Sequence, residues 1–265
     1  MGQEIVNFNE AWAEQAQKWA QEEPLNGGTF LSTRGGTLAF GDEQLPGNQA
    51  AVIILDSVYE NTYYADKFDP DVAAAPTCYA FGRASDPEEM SPHPSMQNDA
   101  YFVPQAEVCS ACPHNEWGSA DKGRGKACQN RRRLALIPAG FYAPKRGSRD
   151  FDLELFDDPK HFQTADIAFI KLPVTSVKGW SKYVSQLSSA MRRPPHGVIT
   201  RLYLEPDANS QYMVKFEAIE EVPDTLAAIV MARADEASKA TVQGYKAPEP
   251  ADAAPQGSLR GLRRR

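Results

Sequence analysis

The sequence is short of cysteine, of long apolar runs and, over its first 108 residues, of positive charge. Four cysteines in 265 residues, Cys78, Cys109, Cys112 and Cys128, are too few for a disulfide scaffold. A chain of this length buries a core without such staples. No apolar run approaches the roughly 20 residues of a membrane helix. The opening MGQEIVNFNEAWAEQ lacks the basic flank and apolar stretch of a secretory signal. The expectation is a cytoplasmic protein (host-cell cytoplasm if phage-encoded) with no membrane partner. Its cysteines are then read as thiols or metal ligands before disulfides.

Positive charge is scarce overall: 28 Lys and Arg against 35 Asp and Glu give a net charge of -7. Evenly spread, that balance would argue against nucleic acid, whose binding rests on neutralising phosphates. It is not evenly spread. Residues 1–108 hold four basic and 17 acidic side chains, 109–149 hold nine and two, and 150–265 hold 15 and 16. A block of net charge +7 inside an acidic chain says more about partners than the total does.

Hydrophobic spacing predicts an amphipathic helix over 9–23, then short strands at 30–31, 37–40 and 50–55 between Gly, Asp and Pro breakers. Residues 84–100 read as a loop. Strands are expected at 133–138, 151–156 and 167–172. A helix follows, with Val177, Trp180, Tyr183, Val184, Leu187 and Met191 on one face until Pro194-Pro195 stops it. A hairpin at 198–204 and 212–216 and a last helix from Pro223 to about Lys239 complete the order. Strands, a helix, then a hairpin is how an α+β, OB-like five-stranded Greek-key barrel is built. The expected organisation is one OB-like domain over 1–246, with peripheral helices and an inserted zinc knuckle at about 78–133. A disordered, arginine-ended tail is expected over 247–265.

Chemistry concentrates in Cys109-x2-Cys112-Pro113-x-Asn115-x-Trp117-Gly118-Ser119 and Gly123-x-Gly125-Lys126-x-Cys128-x2-Arg131-Arg132. Two thiolates at this spacing can face one tetrahedral ion, with Cys78 and Cys128 as third and fourth ligands. Zinc is the leading reading, while an iron-sulfur cluster and buried or redox-active thiols stay open. His93 and His114 are possible substitutes for one cysteine. The pattern is no phosphate-binding P-loop, since Lys126 is followed by Ala127. Lys122, Arg124, Lys126, Arg131, Arg132 and Arg133 instead suit a phosphodiester backbone, with Tyr79, Phe81, Trp117, Phe141 and Tyr142 near enough in sequence to stack bases.

This motif resembles one found in uncharacterised proteins of tailed bacteriophages. The wider arrangement resembles the zinc-containing single-stranded DNA-binding proteins of phage replication, in which a small metal subdomain is set into an OB barrel. The resemblance covers about 78–133 and implies a ligand role for Cys78, Cys109, Cys112 and Cys128. It departs from that family in having four cysteines at wider spacing and a chain end of Arg263-Arg264-Arg265 in place of an acidic tail.

Enzyme signatures are incomplete. His114-Asn115-Glu116 begins a zinc-deaminase pattern, but the CxxC precedes it. Asp150, Asp152 and Glu154 alternate as an exposed strand face does as readily as a magnesium site. The expectation is therefore a non-catalytic single-stranded DNA-binding protein of a phage replication or recombination system, binding through a basic groove beside structural zinc, with replication or transcription proteins as further candidate partners. The alternative is a zinc-containing phage regulatory protein that docks on a host or phage protein such as a polymerase.

Overall fold

The computed structural model describes residues 30–41, 43–65, 75–83, 90–121, 123–208 and 210–248. The helix expected over 9–23, Lys122 and the tail beyond residue 248 lie outside them. Among the described residues ten strands form one sheet: β1 (Phe30–Ser32), β2 (Ala39–Phe40), β3 (Glu43–Gln44), β4 (Gln49–Tyr63), β5 (Cys78–Gly82), β6 (Gln129–Pro144), β7 (Phe151–Leu155), β8 (Ala168–Leu172), β9 (Val198–Asp207) and β10 (Gln211–Glu221). The α-helices among the described residues are α1 (Pro159–Thr164), α2 (Val174–Gln186) and α3 (Asp224–Ala240). None among the described residues is long and apolar enough to cross a membrane.

The expected five-stranded barrel is overturned. The sheet runs β10-β9-β4-β6-β8-β1-β2-β3, with β5 added to β4 and β7 to β6, and it does not close. β4 and β6, of 15 and 16 residues, pair with each other along one edge and outrun their other neighbours, so the second edge of each carries two successive partners, β9 and β5 on β4 and β8 and β7 on β6. All pairings are antiparallel except β1 with β8.

Burial explains why a barrel does not form. Ala51 to Leu55 are buried without alternation, which marks a strand covered on both faces. On one face Val52, Ile54, Leu134, Leu136 and Ile170 pack under Trp180, Tyr183 and Leu187 of α2 and its extension. On the other, Ile53, Leu55, Ala135, Ile137 and Ile199 pack under Phe162 of α1 and Leu226, Val230 and Ala237 of α3.

α2 forms where the sequence predicts, because Trp180, Tyr183 and Leu187 recur at helical spacing. A wider turn at Leu187–Met191 ends it, Arg192 turns left-handed at φ 52°, and the two prolines follow. Two buried hydrogen bonds fix the helix to the sheet. Ser176 Oγ accepts from the Val214 amide at 2.9 Å, and the Tyr183 and Thr200 hydroxyls meet at 2.7 Å.

Gly140 sits where β6 passes from β4 to β7, at an irregularity in the β4 register. A Cβ there would lie 2.5 Å from the Glu154 carbonyl oxygen and 3.0 Å from the Leu155 Cα, both backbone atoms. Gly140→Ala is expected to destabilise by roughly 1–3 kcal/mol through forced strand displacement. Urea unfolding should show a lower midpoint with an unchanged slope.

Candidate metal and nucleic-acid site

β5 enters alongside the end of β4, Tyr63 facing Cys78, while β6 leaves along its other edge, Thr62 facing Gln129. Cys78 and Cys128 are thereby set on either side of the β4 terminus. The loop between them returns Cys109 and Cys112 on a 3-10 turn. All four cysteines line one cavity of about 20 Å3, with Asn61, Tyr63 and Val108. That is the space of one small atom.

The four are free thiols. Burial raises the Cys78, Cys109 and Cys128 thiols, Cys128 to about 12, and the neighbouring thiols push in the same direction. As the side chains stand, no group of three or more His, Cys, Asp or Glu among the described residues is arranged to hold a metal ion. The donor set itself is of the kind soft or borderline metals take.

The motif residues between the cysteines hold the knuckle's shape. Asn115 Nδ2 donates to the Cys109 carbonyl at 2.8 Å, and its Oδ1 accepts from Lys126 Nζ at 3.2 Å. Ser119 Oγ reaches the His114 and Glu116 carbonyls at 2.9 and 2.7 Å and accepts from the Ala127 amide at 3.0 Å. The Cys128 amide donates to the His114 carbonyl at 2.7 Å. Gly118 turns at φ 89°, a conformation that favours glycine. The spacing alone gave no sign of these positioning roles, although both residues stood inside the motif. Asn61, which hydrogen-bonds Cys109 and accepts from Asn130 at 2.7 Å, lies outside it and carried no sequence signal.

The histidines are engaged in other ways. His114 stacks on Tyr63 with ring centroids 3.9 Å apart. His93 caps the turn Pro94–Asn98 and meets Ser95 Oγ at 2.8 Å. Burial lowers its pKa.

The expected nucleic-acid residues separate into two groups. Trp117 is 79% exposed, with Lys126 Nζ 5.6 Å from its ring centroid and Arg124 exposed nearby in the chain. Tyr79, in contrast, is 1% exposed, packed among Phe81, Phe102, His93 and Tyr245. Residues 241–248 turn back over β5, and Ala247, expected to open the disordered tail, packs against this cluster. Tyr79 and Phe81 therefore belong to a small aromatic core.

The basic block does not form one groove. Strand alternation sends Arg131 and Arg133 to one face and Arg132 to the other. Arg133 is buried against Glu60, and Arg132 lies over the Tyr59 ring at 3.5 Å. Lys145, Arg146 and Arg149 lie at the far end of β6, a 16-residue strand spanning roughly 50 Å. What remains at the knuckle among the described residues is Arg124 and Lys126 beside Trp117. No family model, curated protein or solved structure matches the chain.

Proposed function

We propose that the protein is a non-catalytic single-stranded DNA-binding protein whose contact surface is the knuckle rim, held by zinc on Cys78, Cys109, Cys112 and Cys128. The observation that carries this reading is Trp117, an indole left in water on a hydrogen-bonded turn with a lysine against its ring. An exposed aromatic flanked by cations is how proteins hold unpaired bases without reading their sequence. The phage replication setting rests on the motif resemblance alone. Zinc is supported by the four thiols around an atom-sized cavity, and ligation requires those side chains to turn inward upon the ion.

A labelled oligonucleotide titrated at several salt concentrations tests the reading. Trp117→Ala is expected to weaken binding by about 1–3 kcal/mol, one stacked base. Arg124→Ala with Lys126→Ala should flatten the plot of log K against log salt by roughly 0.7 for each phosphate left without its cation. Affinity unchanged by Trp117→Ala, or insensitive to salt, overturns it.

A further inference from the structure

One edge of β4 is interrupted. β9 pairs with Gln49 to Ile53 and β5 with Tyr59 to Tyr63, while Ile54 and Asp56 to Val58 find ladder partners only on β6 among the described residues, with Leu55 in a register irregularity between them. The notch so left opens into a cavity of about 400 Å3, within the size range of small-ligand sites. Asp56 and Ser57 of β4, Arg132 of β6, Trp180 and Ser181 of α2, and His196 contribute to its wall.

The charge in this wall is unbalanced. Both Asp56 carboxylate oxygens are held by the Arg83 fork, at 2.6 and 2.9 Å, so that acid is neutralised. Arg132 has no carboxylate at ion-pair distance among the described residues. Its guanidinium carbon stands 3.5 Å over the Tyr59 ring centroid and Nη1 donates to Ser57 Oγ at 3.1 Å, while Nε is buried without a partner. Burial lowers the Arg132 pKa, as expected where a cation is desolvated without a counter-ion. Arginine nevertheless keeps its proton, and its planar fork matches phosphate geometry.

We propose that the notch binds a phosphate ester, with the Arg132 guanidinium as anion anchor and the Ser57 and Ser181 hydroxyls as further donors. The phosphate belongs either to a free nucleotide or to a strand that also touches the knuckle. The first source does not depend on the knuckle's binding DNA.

Calorimetric titration of the full chain with dAMP, and with adenosine as the phosphate-free control, is the test. Binding of dAMP but not adenosine is expected. Arg132→Lys, which keeps the charge and loses the fork, should weaken dAMP roughly tenfold or more. Ser181 is exposed on α2, so Ser181→Asp leaves the fold intact and sets a carboxylate at the cavity mouth, which should also repel dAMP. If Arg132→Lys weakens oligonucleotide binding as well, the phosphate is that of the strand. If it spares the oligonucleotide, the source is a free nucleotide. No heat with dAMP, or equal affinity in both variants and the parent, overturns the proposal whatever the knuckle binds.

Discussion

Glu60→Ala is expected to destabilise the protein by about 3–5 kcal/mol, the cost of stripping one partner from a buried ion pair. Glu60 is fully buried and Arg133 is 4% exposed. Arg133 Nη2 and the Tyr245 hydroxyl both donate to Glu60 Oε1, and Lys171 Nζ stands 3.8 Å from the same oxygen. Arg133 Nη1 also donates to the Thr241 carbonyl at 3.2 Å. Phe30, Phe81 and Tyr245 surround the two cations at 4.4 to 5.5 Å. Burial pulls Lys171 down to about 8 even with Glu60 opposing the shift. Without the carboxylate, two cations would face each other in a dry site.

Urea unfolding measures the loss. Glu60→Ala with Arg133→Met should recover part of it, because removing both charges relieves the desolvation cost that removing one exposes. Tyr245 also ties residues 241–248 to the sheet through this oxygen, so hydrogen exchange in that segment should rise in the single variant. A Glu60→Ala protein within about 1 kcal/mol of the parent would mean the cluster is not holding the strap.

How much of this was legible beforehand depended on the range of the interactions. The apolar spacing of α2, its prolines, and the hairpin of β9 and β10 are local, and the sequence displays them. The architecture turned on whether strands are covered on one face or two. The unbroken apolar run Ala50 to Leu55 is the local sign of two-sided burial, whereas a hairpin strand of a small barrel buries one face against the core. The pairing of Cys109 with Cys112 is local and shows in their spacing, whereas Cys78 and Cys128 reach the same cavity only because β5 and β6 flank the end of β4. The loss of Tyr79, Phe81 and Arg133 from the surface has no local sign, since it depends on Tyr245, 112 positions after Arg133, folding back over β5. Arg131-Arg132-Arg133 resembles a basic patch only until a strand is assigned, and alternation then divides it.

Cys128→Ser is expected to abolish metal uptake and to open residues 109–128 to proteolysis while the main sheet keeps its melting transition. Among the described residues of 109–128, the three cysteines are the only buried ones. Ordering each backbone residue costs roughly 1–2 kcal/mol, and three small side chains with a few loop hydrogen bonds do not offset that over twenty residues. A structural zinc supplies on the order of 10 kcal/mol when it binds thiolates at neutral pH. Serine nearly conserves the cysteine volume, so lost packing contributes little and the effect isolates ligation. The two faces of the sheet are filled by α1, α2 and α3 without any contribution from this loop. Elemental analysis should therefore fall from about one zinc per chain to none, and cleavage should appear between Cys109 and Cys128. Oligonucleotide affinity should fall with it, because Trp117 is positioned only by that turn. Parent-level zinc, or an unchanged cleavage pattern, would place the ordering force in the hydrogen bonds of Asn115 and Ser119 and remove the metal from the account of the site.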